Sequence, residues 1–99
     1  MVLPVNAAAP VFNTVPAGLY TVQTGQPLSF TVSAFDPDGQ LVQYRLLGNV
    51  PSGVNFLGGD FSWTPTQDDV GGHALVIRAY DSGVPSRHTD SPFTISVTS

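Results

Sequence analysis

Apolar and polar residues alternate with period two along most of this chain. Leu28, Phe30, Val32 and Ala34 share one parity, and Ser29, Thr31 and Ser33 take the other. Val42, Tyr44 and Leu46 alternate with Gln43 and Arg45, and Phe93, Ile95 and Val97 with Thr94, Ser96 and Thr98. Each run predicts a strand with one buried and one wet face, as in antiparallel sheets. The whole pattern predicts strands over 11–14, 19–23, 28–35, 41–47, 54–57, 60–63, 73–80 and 92–98. The segment 73–80 is apolar on both parities, which marks it as a central strand.

Turn chemistry separates these runs: Thr24-Gly25-Gln26-Pro27, Asp36-Pro37-Asp38-Gly39, Pro51-Ser52-Gly53, Gly58-Gly59-Asp60, Gly71-Gly72 and Asp81-Ser82-Gly83. The 10 Gly and 9 Pro leave no room for a helix of ordinary length, and no window has sustained 3.6-residue periodicity. About seven short strands in 99 residues predict an all-β, two-sheet β-sandwich. Trp63, the single tryptophan, is expected to fill the centre between the sheets. Residues 1–9 have linker composition, and residues 10–99 form the domain. The linker-like start and the abrupt end after the last strand predict a segment of a longer multidomain chain, with Met1 as an added start.

Composition narrows the function. Charged residues make up 10% of the chain, with no Lys, Glu or Cys; the 7 acids are all Asp and the 3 bases all Arg. A net charge of −4 with three scattered arginines cannot neutralise a phosphate backbone, so no nucleic-acid partner is expected. Without cysteine there is no disulfide framework, zinc ribbon or thiol nucleophile. That absence fits the cytosol and an exported bacterial protein alike. No stretch reaches the roughly 20 apolar residues of a membrane helix, so no membrane insertion is expected. The first nine residues carry no basic residue and do not read as a signal peptide.

Three groups of motifs together resemble a cadherin repeat. They are Ala9-Pro10-Val11-Phe12; Ser33-Ala34-Phe35-Asp36-Pro37-Asp38-Gly39 with Tyr44; and Leu75, Ile77, Ala79, Asp81, Gly83 and Pro85 followed by Phe93, Ile95 and Val97. The middle of the chain is similar to a narrower relative, the dystroglycan-type cadherin-like or immunoglobulin-like domain of large bacterial surface and secreted proteins. Its elements here are Pro51-Ser52-Gly53-Val54, Phe61-Ser62-Trp63-Thr64-Pro65-Thr66 and Asp69-Val70-Gly71-Gly72-His73. The resemblance spans residues 9–97. It implies a seven-stranded Greek-key β-sandwich, cadherin- or immunoglobulin-like, acting as a spacer or adhesion module, with calcium at the junction between repeats. Asp36 and Asp38 match the family's Asp-x-Asp motif and Asp81 its later Asp. In the linker Asn6 matches, whereas Pro4 and Ala7 stand where the family places Asp.

The candidate metal ligands are therefore Asp36, Asp38, Asp81 and Asn6. Calcium takes six to eight oxygens, so turn carbonyls and water would complete the shell, and affinity is expected on the order of 0.1–1 mM, as in extracellular modules. The competing reading is that Asp36-Pro37-Asp38-Gly39 and Asp81 simply form turns, since Asp bonds its own backbone there. Asp68 and Asp69 read as a solvated turn, and His73 and His88 as surface histidines, His88 in a polar loop. No Gly-x-Ser-x-Gly elbow is present, and one small sandwich offers no deep cleft, so no enzyme is expected.

The expected function is a non-catalytic structural or adhesion module of an extracellular bacterial surface or secreted protein. Its partners would be neighbouring domains of the same chain, with a cell-surface protein or polysaccharide beyond them. The alternative is a carbohydrate-binding module of a secreted polysaccharide-active protein, with Tyr20 or Phe35 as an exposed stacking ring.

Overall fold

Strand segments form where alternation predicts them. They are β1 (Val11–Thr14), β2 (Leu19–Gln23), β3 (Leu28–Thr31), β4 (Ser33–Phe35), β5 (Val42–Gly48), β6 (Asn55–Leu57), β7 (Asp60–Trp63), β8 (Gly71–Asp81) and β9 (His88–Thr98). A computed structural model describes residues 8–83 and 86–99. Two breaks reduce these segments to seven strands. β1 and β2 are one strand that changes sheets around buried Pro16, pairing first with β4 and then, in parallel, with β9. β3 and β4 are one strand divided at Val32, whose N–H donates to Gly59 O at 2.9 Å as the last bond to the β7 side before the strand goes on to pair with β1.

One layer of the sandwich has the order β2-β9-β8-β5 and the other β3-β7-β6, with the β1-β4 pair continuing beside it. β8 is central, as its two apolar parities require; its Leu75, Ile77 and Ala79 are buried. Rings fill the space between the layers. Phe30 stacks on Phe61 (centroids 4.6 Å) and on Tyr20 (4.6 Å), and Phe93 meets Phe30 edge-on at 5.5 Å and Phe61 at 6.0 Å. Stacked and edge-to-face pairs add about 0.5–1.5 kcal/mol each beyond the area they bury.

Two expectations need correction. Trp63 is buried, but it pairs with Leu28 at the start of β3 and lies edge-on to His73 near the start of β8. It therefore plugs one end of the sandwich, and Phe30, Phe61 and Phe93 hold the centre. His88 begins β9 rather than lying in a loop, because its pairing with Tyr80 extends the β8–β9 hairpin to its tip.

The two ends of the sandwich differ. At one pole the chain enters along β1, paired with β4, and Thr89 Oγ1 anchors Pro10 O at 2.6 Å. The turn after β4 and the end of β8 lie at this entry pole. At the opposite pole Thr24 N–H bonds Thr98 O at 2.8 Å and Gly25 N–H bonds Pro65 O at 2.9 Å, beside a 3₁₀ turn at Gln67–Asp69. Among the described residues no helix is long and apolar enough to cross a membrane.

Candidate cation site at the entry pole

Two local turns build this site. In Asp36-Pro37-Asp38-Gly39 the Gly39 N–H closes on Asp36 O at 2.9 Å, and Asp38 N–H donates to Asp36 Oδ1 at 2.7 Å. Gly39 takes a φ of +79°, a conformation that suits glycine. Asp81 does the same work across the pole: its Oδ1 accepts from Gly83 N–H at 3.1 Å and Arg87 N–H at 2.9 Å. Both carboxylates thus bond backbone two residues on, the Asx-turn chemistry that makes Asp a good turn residue.

Turn formation uses Oδ1 of Asp36 and leaves Oδ2 over. Asp36 is only 7% exposed, and its Oδ2 is buried with no hydrogen-bond donor. Burial pushes the Asp36 carboxyl above its ordinary value, the Asp38 N–H pulls it back, and the carboxylates of Asp81 and Asp38 push it up again. A buried carboxylate oxygen facing a second carboxylate can be satisfied by a shared proton or by a cation.

The same pole holds a second orphan, which the sequence reading missed. The side-chain oxygen of Gln40 is buried without a partner, and Asp36 and Gln40 line one open cleft with Phe35, Leu41 and Tyr44. Its only sequence signal is its place directly after the Asp-Pro-Asp-Gly turn. Asp38 Oδ2 accepts from Ala8 N–H at 3.2 Å and so ties the incoming segment to the turn.

Asp36, Asp38 and Asp81 are thus brought to one pole, at the end where the linker enters. Asn6 lies outside the described residues. Among those residues no three His, Asp or comparable side chains converge closely enough to hold a metal by themselves. The orphan oxygens of Asp36 and Gln40 are of the hard type that calcium takes, and main-chain carbonyls, water and the linker would have to supply the rest.

The remaining candidates have structural partners. Asp69 Oδ2 caps Thr66 N–H at 2.8 Å at the opposite pole, and Asp69 O lies 2.6 Å from His73 Nε2. Tyr20 is half-buried, stacked on Phe30 and perpendicular to Phe93, and its phenol oxygen accepts Ala17 N–H at 2.9 Å, so one ring face is already used inside the domain. Phe35 is 47% exposed beside Val11 and Leu41 at the entry pole, an isolated ring rather than a platform.

Residues 9–98 match the family described as Putative Ig domain. A comparison with curated proteins finds no match. Solved structures resemble the domain. Human CDH23 EC21-23 is 29% identical with a TM-score of 0.68, over 98% of this chain and 37% of the other. A protocadherin gammaB7 EC3-6 cis-dimer is 25% identical with a TM-score of 0.71, over 94% of this chain and 25% of the other. A nucleoside hydrolase-related protein from Saccharophagus degradans, associated with carbohydrate metabolism, shares the fold at 20% identity and a TM-score of 0.68, over 91% of this chain and 25% of its own length. This chain spans well under two thirds of each of them.

Proposed function

This chain belongs to that family of Ig-like domains, a cadherin-like β-sandwich of a kind typical of non-catalytic modules, and we propose that it serves as a spacer or adhesion unit in a multidomain bacterial surface or secreted protein, outside the cell. In this reading a weakly bound calcium ion at Asp36, Asp38 and Asp81 fixes the incoming linker, with Asn6 as a donor from the linker itself. The observation that carries the cation is the buried, donorless Oδ2 of Asp36 at the pole where the chain enters. The opposite placement of entry and exit suits a link in a string of domains. The dense aromatic centre suits a part that transmits geometry.

Calcium that binds only the folded state raises stability by RT ln(1 + [Ca]/Kd), about 1.4 kcal/mol at ten times Kd. For a domain of this size that corresponds to a melting-temperature rise of roughly 5–10 °C as an upper limit. Pro4 and Ala7 in place of family aspartates reduce it, so a rise of a few degrees, saturating in the millimolar range, is expected. Asp36→Asn keeps the Oδ1 acceptor of the turn and removes the charge, so it should abolish the response without unfolding the domain. A melting temperature unmoved by calcium up to about 10 mM, ten times the weak end for such modules, leaves Asp36 and Asp81 as turn formers only.

A further inference from the structure

The outer face of the four-stranded sheet carries a second site, of opposite character. Residues opposite one another on paired strands point to the same side. The register puts Arg45, Arg78 and Asp90 in one row across β5, β8 and β9, and Gln43, Tyr80 and His88 in the next. The two rows stand about 7 Å apart, two residues along each strand. Between them lies a cleft of about 300 Å³ lined by Arg45, Arg78, Tyr80, Ser86 and His88.

Its electrostatics are unusual for this chain. Two of the 3 arginines stand side by side on neighbouring strands in a protein of net charge −4. Like charges directly opposite are destabilising. Asp90 relieves only one of them, gripping Arg78 through Nε–Oδ1 at 2.7 Å and Nη2–Oδ2 at 3.0 Å. Arg45 is exposed and, among the described residues, makes no ion pair or hydrogen bond. A guanidinium presents a planar fork of donors matched to a carboxylate or sulfate.

We propose that this cleft binds an acidic saccharide, with the carboxylate or sulfate of one sugar unit on Arg45 and its ring against Tyr80. The lining supports a hydroxylated ligand over other anions. Ser86, His88 and the Tyr80 phenol are hydrogen-bonding groups, and among the described residues no aliphatic side chain lines the cleft. One uncompensated arginine also falls short of what a polyphosphate chain needs. Tyr80 further borders a neighbouring cleft of about 380 Å³ with Gln43 and Leu57, which leaves space for a second sugar unit. Ser86 Oγ donates to Asp81 O at 2.9 Å and so joins the cleft to the cation pole, but Arg45 belongs to neither Asp turn, and its substitution tests the cleft alone.

The test is a titration of the whole domain followed by amide NMR shifts, with four probes: tetragalacturonate, a sulfated galactan oligosaccharide, neutral galactotetraose and an oligo-aspartate peptide. Tetragalacturonate or the sulfated probe should shift the amides of Arg78, Tyr80 and His88, and which of them binds identifies the anion. Galactotetraose should leave those amides unmoved. Arg45→Gln, at an exposed residue without a partner, should keep the melting temperature and weaken binding at least about tenfold, the equivalent of one charge-assisted hydrogen bond. Undisturbed amides with both acidic sugars at millimolar concentration overturn the proposal, as does undiminished affinity in Arg45→Gln. Equal binding of the aspartate peptide overturns it in favour of an acidic protein partner.

Discussion

Adjacent glycines at the β6–β7 hairpin offer a controlled test of how tightly that hairpin is seated against Val32 and Tyr44. Leu57 pairs with Asp60, so Gly58 and Gly59 form a two-residue turn, with φ of +59° and +91°. Positive φ at both central positions is the type I′ pattern, whose twist matches that of the flanking strands. An alanine at either position meets the left-handed penalty of roughly 1–2 kcal/mol. A smaller unfolded-state entropy, worth about 0.4–1 kcal/mol, offsets part of it. The surroundings separate the two. A Cβ on Gly58 meets nothing within 4 Å, whereas on Gly59 it would stand 2.4 Å from the Val32 carbonyl oxygen and 3.7 Å from the Tyr44 ring.

Neither neighbour of Gly59 gives way easily. The Val32 carbonyl is backbone at the interruption between β3 and β4, and Val32 N–H bonds Gly59 O at 2.9 Å. Tyr44 is held by its phenol oxygen, which accepts Ala34 N–H at 2.9 Å. Gly58→Ala should therefore cost about 0.5–1 kcal/mol, a fall of roughly 2–8 °C in melting temperature. Gly59→Ala carries the same strain, the overlap and the loss of a hydrogen bond worth about 1 kcal/mol, for a total of roughly 3–5 kcal/mol. Its melting temperature should fall by more than about 12 °C. Gly58→Asn should be nearly neutral, since Asn tolerates this conformation. Thermal and urea unfolding of the three variants decides the matter. Equal losses at the two glycines would mean that turn conformation alone sets the cost and that the hairpin does not press on Val32.

Two further outcomes follow from the core and the pole. Trp63→Ala should cost about 3–5 kcal/mol, and the native protein should emit blue-shifted, quench-resistant fluorescence; a water-exposed emission wavelength before denaturation would contradict its burial against His73. The Asp36 carboxyl is held above its ordinary 3.8 by burial and by Asp81, so its neutral form favours the folded state. Its contribution is complete below 3.8 and disappears as pH rises through the raised value. Asp36→Asn lacks that titration, so its stability relative to wild type should climb over the same window and then level off. Millimolar calcium should shrink the difference at neutral pH. A difference independent of pH, measured by urea unfolding at stepped pH, would show that Asp36 ionises without cost.

Alternation reveals which side of a strand faces inward, and that is why the strands and the sandwich were legible in the sequence. It carries no information on height along the sandwich, which register alone decides. Trp63 was legible as a core residue but not as an end plug, because nothing in Phe61-Ser62-Trp63 tells that it pairs with Leu28. The first turn of β9 was hidden for a related reason: His88, Thr89, Asp90 and Ser91 are polar on both parities, and their strand conformation comes from pairing with 77–80. The entry pole could be found because Asp36, Asp38 and Asp81 match the aspartates of a cadherin repeat; Asx-turn chemistry alone, being local, shows each turn but not that they share a pole. Gln40 could not, since the orphan state of its oxygen depends on the packing around it. The basic cleft stands furthest from any sequence signal. Arg45 and Arg78 come from separate strands, and only the β5–β8 register puts them abreast. A register shifted by one residue would turn Arg45 toward the core, so the buried faces of β5 and β8 force the two charges together on the outside. Burial thus selects a register that electrostatics alone would oppose, and Asp90 answers half of the opposition. The unanswered half is Arg45, which is why an anion from outside the domain is the partner this surface is short of.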